Sequence, residues 1–170
     1  MQMVKNIVII IVVVWFGLVA FMPKKALYYR LEEELAKQDI KLNEKLIDES
    51  LFSLRIEDVN VYVKGINIAS IREINLFTLL FYSHLSIDEV NLDSSLGMLA
   101  KDIGRSDIFH SISSPTNLVV DVNSSIAKVD GLVDLAQRKV RLDIENSPNI
   151  KMIRPMLKKD EKGWYYETNF

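Results

Sequence analysis

Only two of the 170 residues are histidine and none is cysteine, so metal ligation, thiolate attack and near-neutral proton transfer have few side chains to draw on. His84 and His110 lie outside H-E-x-x-H spacing and have no cysteine to pair with, which leaves a zinc site without support. Each reads as a surface or half-buried polar residue. Ser125 and Lys128 form an S-x-x-K sequence, the spacing some acyl-transfer enzymes use to activate a serine. With 14 serines and 14 lysines in the chain, such a pair arises by chance. The companion S-D-N and K-T-G elements are missing, and the match falls in a stretch that reads as a strand. Asp48-Glu49 and Asp88-Glu89 are adjacent carboxylates near strand ends. Strand neighbours point to opposite faces, so neither pair is expected to share a proton or a cation. The six glycines make neither a dinucleotide fingerprint nor a phosphate-cradling loop. Asn123-Ser124-Ser125 is a formal glycosylation acceptor with no companion sign of a eukaryotic secreted protein. These residues predict a protein that is not an enzyme and takes no metal or cofactor.

The elements that carry these residues divide by composition. The first 25 residues hold Lys5, Lys24 and Lys25 and no acid, leaving 18 basic against 23 acidic side chains in the remainder. A net-acidic domain repels phosphate backbones, which argues against nucleic acid as a partner. Ile7 to Met22 is a run of 16 residues without a charge. As a helix it is roughly 24 Å long, slightly short of a ~30 Å hydrocarbon core. Lys5 at one end, and Lys24 and Lys25 at the other, are placed to snorkel and lengthen it.

A membrane anchor over residues 1–22 is expected, with Ile7, Ile11, Val14, Trp15, Leu18 and Met22 in lipid. Cleavage as a signal peptide would put Leu18 or Lys24 where a small residue belongs, so retention is favoured. Flanking charge favours a cytoplasmic C-terminus, whereas so short an N-terminus and so large a domain favour translocation.

Pro23 suits a first helical turn. Residues 23–39 are expected to form an amphipathic linker helix, with Leu27, Tyr28, Leu31 and Leu35 on one stripe. That stripe is a candidate docking face, for the bilayer, for a partner helix or for the chain's own domain. From residue 40 to 170 the period becomes two. Phe52, Leu54 and Ile56 alternate with polar residues, and Val59, Val61 and Val63 alternate again one place out of step after Glu57-Asp58. A second slip separates Leu85 and Ile87 from Val90 and Leu92. Such slips predict bulges or turns. Leu76 to Tyr82 reads as one or two helical turns, and 94–115 as a connection with a short helix near 96–103. The fold expected is mainly β: a transmembrane helix, a short amphipathic helix, then one curved antiparallel sheet of seven or eight strands.

The order of these features resembles the type II secretion system protein N family and, more loosely, AsmA-like periplasmic proteins. The resemblance is carried by the apolar anchor with Pro23 and the Leu27/Leu31/Leu35 helix, and by SLFSLRIEDVNVYV at Ser50–Val63. It continues in INLFTLLF at Ile74–Phe81 with its return strand Leu85–Leu92, and in VDGLVDL at Val129–Leu135 with VRLDI at Val140–Ile144 as a glycine-centred hairpin. GWYY at Gly163–Tyr166 ends it. The resemblance implies a bacterial inner-membrane protein with a single anchor and a periplasmic β-rich domain. It implies a place in secretion or envelope transport, with other envelope or secretion proteins and the bilayer as partners. Through the AsmA-like likeness it implies bound lipid. It carries no catalytic residue.

Overall fold

The computed structural model describes residues 2–79, 81–93, 102–125, 127–145, 150, 153–161 and 163–170. Helix α1 spans Gln2–Ala20 and α2 spans Lys24–Ala36. Eleven strands follow in one antiparallel sheet: β1 Ile40–Asn43, β2 Leu46–Glu49, β3 Ser53–Val63, β4 Ile66–Leu79, β5 Tyr82–Leu92, β6 Asp102–Ser111, β7 Asn117–Ser124, β8 Lys128–Asp134, β9 Lys139–Ile144, β10 Lys158–Asp160 and β11 Gly163–Asn169. The order is a meander from β3 to β9, then β11 and β10, with β1 and β2 sharing the outer edge of β3. The sheet is not closed.

Helix α1 ends at Ala20, before Phe21, Met22 and Pro23. Its uncharged part, Ile7 to Ala20, is therefore about 21 Å long against ~30 Å of hydrocarbon. Among the described residues no helix is long and apolar enough to cross a membrane, which corrects the expected self-sufficient transmembrane span. Lys24 does not snorkel either. It is buried, its Nζ donating to the Leu51 carbonyl at 2.7 Å and its backbone N–H to Glu49 Oε1 at 2.8 Å. These bonds pin the start of α2 to the β2–β3 turn.

The rest of α2 packs through Tyr28, which joins Leu54, Ile56 and Val59 of β3 in one core cluster. The Tyr28 hydroxyl donates to Glu44 Oε2 at 3.2 Å. Burial and the Glu44 carboxylate push that phenol well above its ordinary pKa. Of the expected stripe, Leu35 is half-buried, whereas Leu27 and Leu31 face solvent.

Both predicted phase slips are present, and they turn out to be one feature. Glu57 pairs with Glu73 and Val59 with Ile71, so Asp58 faces Arg72 with the register unbroken. The same step recurs in the next ladder, where Glu73 pairs with Asp88 and Ile71 with Val90. It recurs again where Asp88 pairs with Arg105 and Val90 with Ile103. Each of four neighbouring strands carries one extra residue at the same level. At β7, which has none, the mismatch appears as a bulge, with Gly104 and Arg105 opposite Asn123. Asp58 and Glu89 take positive φ angles of 54° and 50° to absorb it.

Three expectations fail for a related reason. The helical turns read at Leu76–Tyr82 are the β4–β5 hairpin, whose end is apolar on both faces and so shows no period of two. The expected connection at 94–115 contains β6, whose alternation is broken by the slip at Gly104-Arg105; residues 96–101 of the expected short helix lie outside the described residues. Gly131 is not at a hairpin turn but in mid-β8, where a Cβ would meet Leu142 Cδ2 at 2.6 Å and Val120 Cβ at 3.2 Å. Only glycine lets those two neighbours meet across the strand.

Asp58→Val tests the slip. A β-branched side chain at positive φ should cost about 1–2 kcal/mol, while Asp58→Gly should be close to neutral. Urea unfolding of the two variants in mild detergent checks the difference.

Candidate functional site: the apolar face of the sheet

Alternation in every strand sends one set of side chains to each face, and the slip keeps the two sets apart across the whole sheet. One face carries Leu54, Leu76, Leu85, Ile108 and Val120 along a single row of cross-strand partners, and Val59, Ile71, Val90 and Ile103 along another. The same face continues through Val122, Val129, Ile144 and Trp164. Two stretches of chain lie on it. At one side α2 packs on β3. At the other, Ile150, Ile153 and Leu157 pack on Ala127, Val129, Ile144 and Trp164. Arg154, in a short 3-10 turn at Arg154–Met156, stacks over the Trp164 ring at 4.6 Å and holds that stretch in place.

Between the two covers, the apolar side chains of β5, β6 and β7 are half-buried, and no described element packs over them. Here an open cleft of about 470 Å³ is bordered by Leu92, Ile103, Val122, Leu142, Met156 and Tyr166. That volume lies within the range of small-ligand sites. Its hydroxyl at Ser124 is already used, donating to the Ala127 carbonyl at 2.7 Å. Among the described residues no charged side chain borders the cleft, so an apolar chain is the occupant this lining can desolvate at least cost.

The opposite face is polar and holds His84, Asp48, Asp88, Glu89 and Lys128, whereas His110 and Glu49 alternate onto the same side as Ile108 and Leu54. At the slip, Asp88 and Glu89 both lie off the apolar side, because Ile87 and Val90 both face it. The expectation that alternation would separate these two carboxylates is corrected. They nevertheless open onto different hollows, Asp88 with Glu73 and Arg105, and Glu89 with Arg72 and Asp58. Arg72 neutralises Glu89 at 3.1 Å, and Arg55 reaches Glu73 at 2.7 Å. Among the described residues no group of three His, Cys, Asp or Glu side chains could hold a metal ion.

Lys128 Nζ sits 3.7 Å from Asp121 and 3.9 Å from Asp130, in ion pairs on the polar face. His110 is bonded through Nε2 to the Pro115 carbonyl at 3.1 Å. His84 Nε2 lies 2.7 Å from Asp107 Oδ1, with the His84 ring stacked on Phe109 at 4.5 Å. Arg105 grips the same carboxylate through Nε at 2.8 Å. The arrangement is a cross-strand clamp. Sequence spacing could not show it, because His84 and Asp107 meet only through the β5–β6 register.

The expected anchor residues Ile7, Ile11, Val14, Trp15 and Leu18 lie on α1, and Met22 lies just beyond it; all six are exposed. Phe16 meets Phe52 at 5.5 Å between ring centres, and Ile11, Val12 and Trp15 border Phe81 and Ile112. No family model, curated protein or solved structure matches the chain.

Burial pushes the Asp107 carboxyl up, but hydrogen bonds from Arg105 and His84, together with their charges, outweigh it and hold it below its ordinary 3.8. A carboxylate depressed in the folded state contributes stability that is complete above its unfolded pKa and lost as pH falls through the folded one. Asp107→Asn should therefore cost about 1 kcal/mol at neutral pH, an amount fitting a partly exposed clamp. The gap between variant and parent should close as the buffer is taken below 3.8. Thermal melts at the two pH values check both the loss and its sign.

Proposed function

We propose that this chain is a non-enzymatic, membrane-tethered transport protein of the bacterial envelope that shelters lipid acyl chains on the apolar face of its sheet. The observation that carries the reading is the cleft between the two covers, whose described lining is apolar and carries no charge. Burying a leucine-sized side chain there against a ligand is worth about 1.5–3 kcal/mol, so several such contacts suffice to retain a lipid. The tether is α1, whose exposed Ile, Val and Leu side chains need lipid or protein around them. The inner-membrane location, with the sheet in the periplasm, is supported by the resemblance to secretion protein N and AsmA-like chains.

A second reading, as a scaffold within a secretion apparatus, is favoured by one feature of the sheet edge. Strand β10 pairs only with Gly163–Tyr165, which leaves the outer edge of β11 from Tyr166 to Asn169 without a strand partner among the described residues. Phe170 N–H donates to the carbonyl of Arg138, just before β9, so by alternation Glu167 and Asn169 point theirs outward, ready for an added strand. A photo-crosslinker at Asn169 should then capture a secretion component in cells. Finding none would leave the acyl-chain reading alone.

The acyl-chain reading is tested on the full chain extracted in mild non-ionic detergent, with retained phospholipid measured by native mass spectrometry. Leu92→Lys, at the cleft border, should lower retention by about tenfold or more. Leu46→Lys, exposed on the opposite face beside Glu57, should leave it unchanged. Equal retention in both variants, or no lipid in the parent, would overturn the reading.

A further inference from the structure

The four described reversals at one end of the sheet, and the residue after β11, share a property that the described reversals at the other end lack. At the end where α1 joins, the β2–β3 turn carries Leu51 (57% exposed), the β4–β5 turn Phe81 (54%), the β6–β7 turn Ile112 (50%) and the β8–β9 turn Leu135 (46%). Phe170 (62%) follows the end of β11. Single exposed apolar residues are ordinary on a protein surface; one at every reversal along a sheet end is not. At the opposite end the described reversals carry Lys64-Gly65, Asp93, Ser125, Glu145 and Asp160-Glu161, with Ile66 the one large apolar side chain exposed beside them.

Three further observations bear on this end. The tips form a rigid row. Backbone N–H groups of Thr78, Ile112 and Leu135 donate to the carbonyls of Phe52, Phe81 and Thr116, so each ladder is hydrogen-bonded to its last residue. On the polar face near this end Val119 and Leu132 are exposed on β7 and β8, in the row that continues through Arg141 and Glu167. Finally, the row is continuous with α1, through Phe16 on Phe52 and through Trp15 beside Phe81 and Ile112.

We infer that this row of hairpin tips is a second membrane contact: it dips into the headgroup–acyl boundary of the bilayer that α1 enters. The sheet then stands on the membrane with its strands rising from it, and the apolar row Leu76, Leu85, Ile108 and Val120 lies one row beyond Thr78, Ser83 and His110. A protein partner of similar apolarity would need its own matching row. The bilayer supplies a continuous apolar layer to every tip at one level, which is what tips of equal height on a hydrogen-bonded end require.

The inference rests on the tether reading of α1, and the test separates the two. Since the chain has no cysteine, single replacements Ile112→Cys, Leu135→Cys, Lys64→Cys, Glu161→Cys and Val12→Cys each give one labelling site. The full chain, labelled with an environment-sensitive fluorophore, is reconstituted into phosphatidylcholine–phosphatidylglycerol vesicles containing acyl-brominated lipid as quencher. Emission from Ile112→Cys and Leu135→Cys should fall at least about twofold, as for a group held at the acyl boundary, and that from Lys64→Cys and Glu161→Cys should not change. If Val12→Cys is quenched while the tips behave like Lys64→Cys, the tip contact is overturned and the tether stands. If Val12→Cys is also unquenched, both fall together.

Discussion

A β-sheet whose strands alternate apolar and polar side chains must cover its apolar face, and everything else in this protein follows from how incompletely the chain does so. A sandwich would lay a second sheet there, and an α/β fold would lay helices. This chain supplies α2 over β3 and a short stretch around Ile150, Ile153 and Leu157 over β8, β9 and β11. Among the described residues only Val59 of the large apolar side chains is fully buried. At roughly 25 cal/mol per Å² of apolar area, the half-buried rows on β5, β6 and β7 leave hydrophobic free energy that an external apolar partner can recover. That shortfall favours a ligand on this face more directly than any single residue does.

The shortfall would be scattered rather than continuous without the extra residue in β3, β4, β5 and β6. A one-residue slip in a lone strand would send every later side chain to the wrong face. Here the extra residues face one another in register, so Val59, Ile71, Val90 and Ile103 return to the same side together. The positions between them fall on the polar side and are filled by Glu57, Asp58, Arg72, Glu73, Asp88 and Glu89, mostly in salt bridges. The bulge against Asn123 is the point where strands with and without the insertion meet, and glycine at 104 lets the backbones approach, since a Cβ there would lie 3.1 Å from the Asn123 carbonyl.

Much of this was readable from the residues, for physical reasons that also mark the limits. The phase change after Glu57-Asp58 and the one between Ile87 and Val90 are visible as broken alternation. That they are one feature is not, because register between strands is a non-local property. Strand β6 escaped notice since its insertion falls near its start and leaves too short an alternating run. The β4–β5 hairpin read as helix because Leu76 to Tyr82 is apolar on both faces, a pattern that periodicity cannot resolve. Of the candidate sites, the α1 residues lie together on an exposed helix, but the α2 stripe divides, with Tyr28 inward and Leu27 and Leu31 outward. The His84–Asp107 clamp and the cleft at Leu92 and Val122 join distant segments that no spacing rule connects.

The α1–α2 junction ties these features into one object. Lys24 carries a charge whose obvious place, three residues after an apolar helix, is the headgroup layer. It is buried instead, satisfying the Leu51 and Ser50 carbonyls. A buried ammonium is tolerated only where carbonyls replace water around it, and here those carbonyls belong to the β2–β3 turn that bears Leu51 and Phe52. The bond therefore fixes the exit of α1 at the first of the apolar tips. A loose linker would let the sheet tumble relative to α1. With Phe21, Met22 and Pro23 alone between α1 and this anchored lysine, the end of the sheet has little freedom to move away from α1. Shortness of the link, burial of Lys24 and the apolar tips all act in the same direction, holding one end of the sheet beside α1, as the proposed acyl-chain role requires.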